Sequence, residues 1–285
     1  MRIGLVLPLE LDTPGSPPPA LAVARGAEDI GLDSVWVYDH FFGNMPDVPP
    51  RNPVHEAWTI VSAVAATTSR VEIGQLVMCT AYRPPGMLAK MAATADAVSG
   101  GRLVLGLGAG WHTEEYRAFG YPFDHRVDRF EETLEIIAPL VRGESVTFEG
   151  TYHRARDASL MPLERRTPIL VAAFGERMLR LTARFADAWN TAWYGMPDDK
   201  LREAFADLDA ALEAEGRDRS TLRRTVGIDA REPETKTVDE GGAMVDDLPR
   251  LFDAYDELGV DDVILGFEGA TERTVERLHR VVAGR

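Results

Sequence analysis

The chain's 285 residues are 45% apolar, enough for one large barrel or two smaller domains around a sizeable core. With 46 acidic against 31 basic residues and a formal charge of −15, it is poorly suited to nucleic acid or an anionic membrane as its main partner, although a local basic pocket for a phosphate stays compatible. The longest apolar runs fall far short of the roughly 18 residues of a membrane span, and a single cysteine, Cys79, rules out an intrachain disulfide and makes a cytoplasmic location the natural one.

The opening run from Met1 to Pro8 has the length of a short signal core. It lacks a small-residue cleavage site and reads as a strand. From there, short β-branched runs alternate with longer helical patterns, the rhythm of parallel strands joined by helices. A strand over 2–7 leads to a helix reaching 30, with Leu21, Ala24, Ala27 and Ile30 on one face. A second strand over 34–38 precedes a helix near 56–69 that turns Val61, Val64, Ala65 and Thr68 inward. The third strand spans 71–78. Its helix, 86–98, carries the stripe Leu88, Met91, Ala95 and Val98 and is stopped by Ser99-Gly100-Gly101.

The fourth strand covers 103–107 and is followed by a helix over 126–141. A segment of about 142–167, with a small hairpin near 145–153, is inserted before the fifth strand at 169–172 and its helix at 176–185. The sixth pair is 187–190 with 198–215, the seventh 223–229 with 243–258, and the eighth 262–265 with 271–282. Eight such pairs predict a single (β/α)8 TIM barrel over residues 1–285. The competing arrangement is an open doubly wound sheet.

A barrel places its chemistry at the C-terminal ends of its strands. Those ends carry Tyr38-Asp39-His40-Phe41, Met78-Cys79-Thr80 with Tyr82-Arg83, Gly108-Ala109-Gly110-Trp111-His112, Ala172-Ala173-Phe174-Gly175 and Trp189-Asn190-Thr191. Aromatic walls with a few polar groups suit a flat heterocycle. Strand alternation turns Val35 and Val37 towards the helices and Trp36, Tyr38 and His40 towards the interior, with Asp39 on the opposite parity. His40 is then either a proton-handling group or a pocket-shaping histidine bonded to backbone. Gly106-Leu107-Gly108-Ala109-Gly110 lacks the third glycine of a dinucleotide fingerprint and sits on the wrong strand for one. Its glycines admit a ring or phosphate to the backbone, or simply pack a tight turn. Phe174-Gly175-Glu176-Arg177 opens a helix whose free N–H groups and Arg177 can receive a phosphate, or it is an ordinary turn with a solvated arginine. His55-Glu56 and His112-Thr113-Glu114-Glu115 match no metal-ligand spacing and read as solvated helix starts. Cys79 reads as a packed thiol, and the acidic stretch 207–215 as a solvated helix face.

In four segments the chain resembles the luciferase-like monooxygenase superfamily, in particular its oxidoreductases that use the deazaflavin coenzyme F420. These are 31–41, ending Trp36-Val37-Tyr38-Asp39-His40-Phe41; Glu56-Ala57-Trp58 leading to 68–74; 99–111, Ser-Gly-Gly through Gly108-Ala109-Gly110-Trp111; and 168–175 continuing to Ala188-Trp189-Asn190. The resemblance implies that His40 matches an active-site histidine of deazaflavin-dependent sugar-phosphate dehydrogenases and Asp39 a coenzyme contact. It implies a non-proline cis peptide at about Leu76–Val77, behind the ring, with Cys79 close by. Ala109 and Gly110 match backbone contacts to the coenzyme, and Phe174, Gly175, Arg177 and Met178 the segment that receives its phosphate. Where the sugar-phosphate dehydrogenases have a glutamate after the Gly-x-Gly turn, this chain has Trp111, which favours a different hydride transfer. Phe41, Tyr82, Trp111, Trp193 and Tyr194 are candidates for the substrate wall.

The expected activity is hydride transfer between coenzyme F420 and a small organic substrate, by a homodimer, with a flavin or F420 reductase supplying reduced cofactor. The alternatives are a two-component monooxygenase using reduced FMN and oxygen, a non-catalytic flavin-binding barrel, and an unrelated barrel enzyme acting on phosphorylated substrates.

Overall fold

β-branched runs punctuated by glycine and proline give this chain its strands, and longer apolar stripes give it the helices between them. The computed structural model describes residues 1–10, 17–43, 53–160, 165–233 and 242–283. First come β1 (Arg2–Val6), α1 (Pro19–Asp29), β2 (Ser34–Val37), α2 (Ala57–Thr67) and β3 (Glu72–Gln75). The two-residue β4 (Met78–Cys79), α3 (Pro85–Ser99), β5 (Leu103–Gly108), α4 (Thr113–Phe119) and α5 (Arg126–Val141) follow. A hairpin of β6 (Val146–Glu149) and β7 (Arg154–Ala158) precedes β8 (Ile169–Ala172), α6 (Glu176–Phe185), β9 (Ala188–Tyr194) and α7 (Asp199–Ala214). The chain ends with β10 (Arg223–Arg231), β11 (Ala243–Met244), α8 (Leu248–Glu257), β12 (Asp262–Phe267) and α9 (Glu272–Val282).

Strands β1, β2, β3, β5, β8, β9, β10 and β12 pair in that order, all parallel, and β12 returns to β1. The sheet is therefore a closed eight-stranded barrel ringed by helices, not an open one. Inside it, Trp36, Val104, Leu170, Ala188 and Ile264 form the packed interior, while Val35 and Val37 join the larger core under the helices. Trp36 fits because Gly74, its partner on β3, and Gly4, two residues before its partner Val6 on β1, have no side chains: a Cβ at either glycine would run into its indole. Its Nε1–H donates to Ser34 Oγ at 2.8 Å, so the buried indole is satisfied.

The N-terminal end of the barrel is closed by charge. Arg2, Glu72, Arg223 and Asp262 open β1, β3, β10 and β12 and form a ring of ion pairs of 2.7–3.4 Å. Burial pushes the Asp262 carboxyl up to about 6 against the pull of Arg223 and Arg2. Burial acts the same way on Glu72, but bonds from Arg223 and Arg2 hold it below the usual carboxylate range. The chemistry expected of this fold lies at the other end.

Several boundaries differ from expectation, each for a local reason. The third strand is interrupted at Leu76 and Val77, joined by a cis peptide, before β4 resumes pairing with β5. At the break Gln75 Oε1 accepts from Gly106 N at 3.1 Å, replacing a lost ladder bond. α3 buries Leu88, Ala89, Ala92 and Ala95, and Val98 is 54% exposed, because small residues let this helix approach the sheet closely. α1 likewise buries Ala20, Val23, Ala24 and Ala27 rather than Leu21 and Ile30. β9 runs on to Tyr194 because β10 offers pairing partners as far as Ile228. α8 starts at Leu248, where a proline in the first turn sets its beginning, and 243–247 form a short strand and a 3-10 turn instead. The hairpin's second strand lies beyond His153, with its turn at 150–153. The helix start expected at 112–115 is realised as the short helix α4, and it supplies the residue around which the candidate site is organised.

Candidate active site

β2 ends at Val37, so regular alternation stops before Tyr38. Tyr38 turns to the helix layer, where its hydroxyl donates to Glu10 at 2.8 Å. Asp39 and His40 both face a cleft at the C-terminal mouth of the barrel, which corrects the expected parity. Leu76, Val77 and Cys79, from the interrupted third strand, form one wall with Tyr82. Gly110, Trp111 and His112 enter after β5, Ala172 and Phe174 at β8, and Asn190, Ala192 and Trp193 from β9. Five strand ends converge, as the sequence suggested.

Asp39 is buried, accepts from Cys79 N at 3.0 Å, and receives both Nη groups of Arg83 at 2.7 and 3.1 Å. Arg83 also reaches Glu56 at 2.6 Å. Burial pushes the Asp39 carboxyl up, opposed by Arg83 and the Cys79 amide, and the two carboxylates in turn raise Arg83. Burial also pushes the Cys79 thiol up to about 11, and its Sγ lies 3.1 Å from Tyr116 Oη. At neutral pH Cys79 is a packed thiol, not a thiolate nucleophile.

His40 is set by a residue the sequence did not single out. Glu115, on α4, is fully buried rather than a solvated helix start. Its Oε2 lies 3.0 Å from His40 Nδ1 and accepts from Tyr82 Oη at 2.8 Å. Its Oε1 accepts from the amides of Phe41 and Phe42 at 2.6 and 3.1 Å. Burial pushes this carboxyl up, but the bonds from His40, Tyr82 and Phe42 hold it below the usual range. His40 packs edge-on to Trp111, ring centroids 5.5 Å apart, and His112 lies buried beside both.

Trp193 stands over glycines. A Cβ at Gly227 would lie 2.9 Å from its ring and one at Gly266 3.0 Å, so the missing side chains on β10 and β12 make its seat. A cis peptide joins Ala192 to Trp193, and both residues line the cleft. Asn190 Nδ2 donates to Thr225 Oγ1 at 2.8 Å, tying β9 to β10 beneath it. His112, Ala172, Asn190 and Ala192 are cleft residues the sequence reading missed as site residues.

Other expected site residues lie elsewhere. Phe41 stacks on Phe119, ring centroids 4.1 Å apart, and meets Tyr82 at a tilt, 4.9 Å away, behind the wall. Tyr194 is buried and pairs with the Thr191 hydroxyl. Ala109 faces a neighbouring pocket with Thr80, Arg126 and His153. Gly175 caps α6 with φ of 75°. Arg177, half exposed, pairs with Asp128 and Glu131 on α5, both at 2.6 Å, and Met178 is partly buried against the core. Gly106 and Gly108 sit against Gln75 and Val77, which is close packing, whereas Gly110 both packs against Tyr116 and lines the cleft. Among the described residues no group of three or more His, Cys, Asp or Glu side chains is placed to hold a metal ion, and no helix is long and apolar enough to cross a membrane.

Residues 1–230 match the sequence model of the luciferase-like monooxygenase family. An F420-dependent glucose-6-phosphate dehydrogenase of Microbacterium testaceum is 33% identical over 201 residues, 69% of this chain and 59% of that protein. A phthiodiolone/phenolphthiodiolone dimycocerosates ketoreductase of Mycobacterium bovis is 35% identical over 220 residues, 70% of this chain and 57% of that one. The chain thus spans under two thirds of the length of these relatives. Among solved structures, an F420-dependent secondary alcohol dehydrogenase in complex with an F420-acetone adduct superposes with a TM-score of 0.82 at 21% identity, covering 99% of this chain and 98% of that one.

Proposed function

This chain belongs to the luciferase-like monooxygenase family, and from that premise we propose that it is an oxidoreductase transferring a hydride between coenzyme F420 and a small organic substrate. The observation that carries the reading is the cleft itself: apolar and aromatic walls at the C-terminal mouth of the barrel, with two imidazoles, His40 and His112, of which His40 is backed by a buried carboxylate. The residues present fit a deazaflavin. Gly110 has no side chain to block approach to the backbone, and the interrupted strand at Leu76 and Val77 offers a flat support. Asp39, Leu76, Val77, Cys79 and Gly110 would hold the ring, and Ala109, whose side faces the neighbouring pocket, would contribute only backbone. Phe174, Gly175, Arg177 and Met178, at the start of α6, would receive the phosphate. For Arg177 that means leaving Asp128 or Glu131.

When bound, the 5-deazaflavin ring donates or accepts a hydride at C5. The chain's own part is to orient the substrate, exclude water and move one proton. His40 gives that proton to a carbonyl oxygen or takes it from a hydroxyl. Trp111, Trp193 and Tyr82 wall the substrate side, and Phe41 braces Tyr82 from behind. Trp111 stands where sugar-phosphate dehydrogenases carry a glutamate, which supports a hydride transfer other than sugar-phosphate oxidation. The reading includes a homodimer in the cytoplasm, reduced by a separate reductase. The outward positions of α2, Thr59, Ser62, Ala66 and Thr67, bear no charge, and Met87 on α3 is 58% exposed, which supports such an interface.

The test is a fluorescence-quench titration of the protein with coenzyme F420 and, separately, with FMN. Tight deazaflavin and weak FMN binding is the expected result. Preference for reduced FMN, with oxygen consumed, moves the assignment to the monooxygenases. Binding of neither ring overturns the redox reading. Cofactor binding with no turnover to lose in His40→Ala indicates a non-catalytic barrel.

A further inference from the structure

Glu115 does not line the cleft, yet it bonds three successive residues of the His40 segment, His40, Phe41 and Phe42. Four groups converge on its two oxygens: the amides of Phe41 and Phe42, the Tyr82 hydroxyl and His40 Nδ1, all between 2.6 and 3.1 Å. A buried carboxylate keeps its charge only when donors surround it. Two of these groups are backbone N–H donors without alternative. An oxygen that already accepts from Tyr82 faces Nδ1, and two lone pairs cannot face each other at 3.0 Å, so Nδ1 must carry hydrogen. An imidazole with hydrogen on Nδ1 presents Nε2 at its opposite edge, as a proton acceptor when neutral and a donor when protonated.

We infer that Glu115 is a positioning residue: it fixes His40 as the Nδ1–H tautomer and so assigns Nε2 to the substrate. This rests on the reading that His40 handles the proton. In carbonyl reduction the Nε2 proton passes to the substrate oxygen while a hydride from the coenzyme, with its electron pair, bonds to the carbon. His40 is left neutral, with Nδ1–H still on Glu115. In alcohol oxidation the hydroxyl proton goes to Nε2 as the hydride leaves, and the imidazolium formed is stabilised by the Glu115 carboxylate. The chain thus has a carboxylate near the site although Trp111 stands after the Gly-x-Gly turn. It lies four residues further on and acts through His40 rather than on the substrate.

The amides of Phe41 and Phe42 also make Glu115 a brace for the segment after β2, so the experiment must separate bracing from tautomer control. Histidine-selective 15N labelling of the protein without coenzyme, read by two-bond 15N–1H correlation at pH 8, reports the tautomer of His40 directly. Wild type is expected to show Nδ1–H. Glu115→Gln is expected to shift His40 wholly or partly to Nε2–H, because the amide donates where the carboxylate accepted. With substrate, E115Q should lose kcat on the order of 100-fold or more, as expected when a base is held in the wrong tautomer, while coenzyme affinity stays within about threefold. Tyr82→Phe, which removes a donor but not the carboxylate, should keep the Nδ1–H signature. An Nε2–H signature in wild type, or an unchanged tautomer in E115Q, overturns the inference. So does a parallel fall of kcat and coenzyme affinity in E115Q. If E115Q does not fold, the wild-type spectrum decides alone. If the protein binds neither deazaflavin nor flavin, the functional reading fails, and the spectrum still decides what Glu115 does.

Discussion

Arg83 grips Asp39 with both ends of its guanidinium, at 2.7 and 3.1 Å, on the cleft wall where the first predicted coenzyme contact lies. Fork-on-carboxylate pairing is available to arginine and not to lysine. Removing one partner leaves the other charge buried and unpaired, at a cost of roughly 3 kcal/mol or more. Arg83→Met should therefore lower the unfolding free energy by about 3 kcal/mol, and the double variant with Asp39→Asn should recover part of it. Urea denaturation of the wild type, both singles and the double measures the coupling. Strict additivity would mean the pair contributes nothing beyond its separate members.

Trp193 makes a second prediction. Its indole occupies the volume that Gly227 and Gly266 leave empty. At Gly227 an added Cβ would meet the Ala192 Cβ at 2.6 Å and the indole at 2.9 Å, so Gly227→Ala must displace the cleft wall. At Gly266 the nearest ring atoms are 3.0 and 3.2 Å away, and a small tilt of the indole relieves them. Overpacking of this kind costs about 1–3 kcal/mol. G227A should lower stability within that range and raise KM, whereas G266A should change KM by less. Equal effects from the two, measured by thermal melts and steady-state kinetics, would remove Trp193 from the substrate wall.

How much of this was readable in the chain depended on the range of the interaction. The strand over 169–172 and the helices over 176–185 and 126–141 appear at the expected boundaries because proline, glycine and the apolar stripe fix them locally. His40 was legible as a cleft residue from strand parity, whereas parity turned Asp39 away and only the family resemblance pointed to it. Tyr38 was misplaced, because alternation holds only while the ladder does. Glu115 was invisible for a deeper reason. Its burial is produced by the amides of Phe41 and Phe42, more than seventy residues earlier in the chain, and nothing in Thr113-Glu114-Glu115-Tyr116 distinguishes the buried glutamate from its half-buried neighbour. The glycine seat of Trp193 is likewise set by strands that follow it in sequence.

Glu28 gives a prediction in pH. In the last turn of α1 it accepts from the amides of Ser69, Arg70 and Val71 at 2.9, 2.6 and 3.1 Å, tying that helix to the entrance of β3. Burial pushes its carboxyl up, but these amides and the Ser69 hydroxyl prevail and bring it down to about 2, from an ordinary 4.5. The folded state therefore binds this proton less tightly than the unfolded chain. The contribution is fully present above about 4.5 and fades as pH falls towards 2. Glu28→Gln should cost about 2 kcal/mol at pH 7, the scale of hydrogen bonds to a charged group. The gap to wild type should narrow below pH 4.5. A gap that stays constant from pH 7 to pH 3 in denaturant titrations would show that the charge is not what matters.

Two glycines, Gly110 on the cleft and Gly175 at the start of α6, separate backbone freedom from close approach. Gly110 and Gly175 have φ of 76° and 75°, a region where a Cβ is strained, so each pays about 1 kcal/mol when replaced by alanine. They differ in what surrounds them. A Cβ on Gly110 would collide with the Tyr116 hydroxyl and come within 2.6 Å of Cys79 Sγ, while one on Gly175 would meet nothing within 4 Å. Gly110→Ala must therefore add a packing cost to the conformational one and disturb the Tyr116 hydroxyl, which donates to Ala109 O at 2.8 Å. G110A should lose about 2–4 kcal/mol of stability, the sum of strain and overpacking, together with at least tenfold in deazaflavin affinity. G175A should lose only the conformational term in stability. Its effect on affinity then tests the start of α6 as the phosphate site. A deazaflavin Kd that rises for G175A, and not for the phosphate-free riboflavin-level analogue, places the phosphate there. Equal Kd values for both ligands in wild type and G175A would remove residues 174–178 from the coenzyme site and leave Arg177 to its partners Asp128 and Glu131.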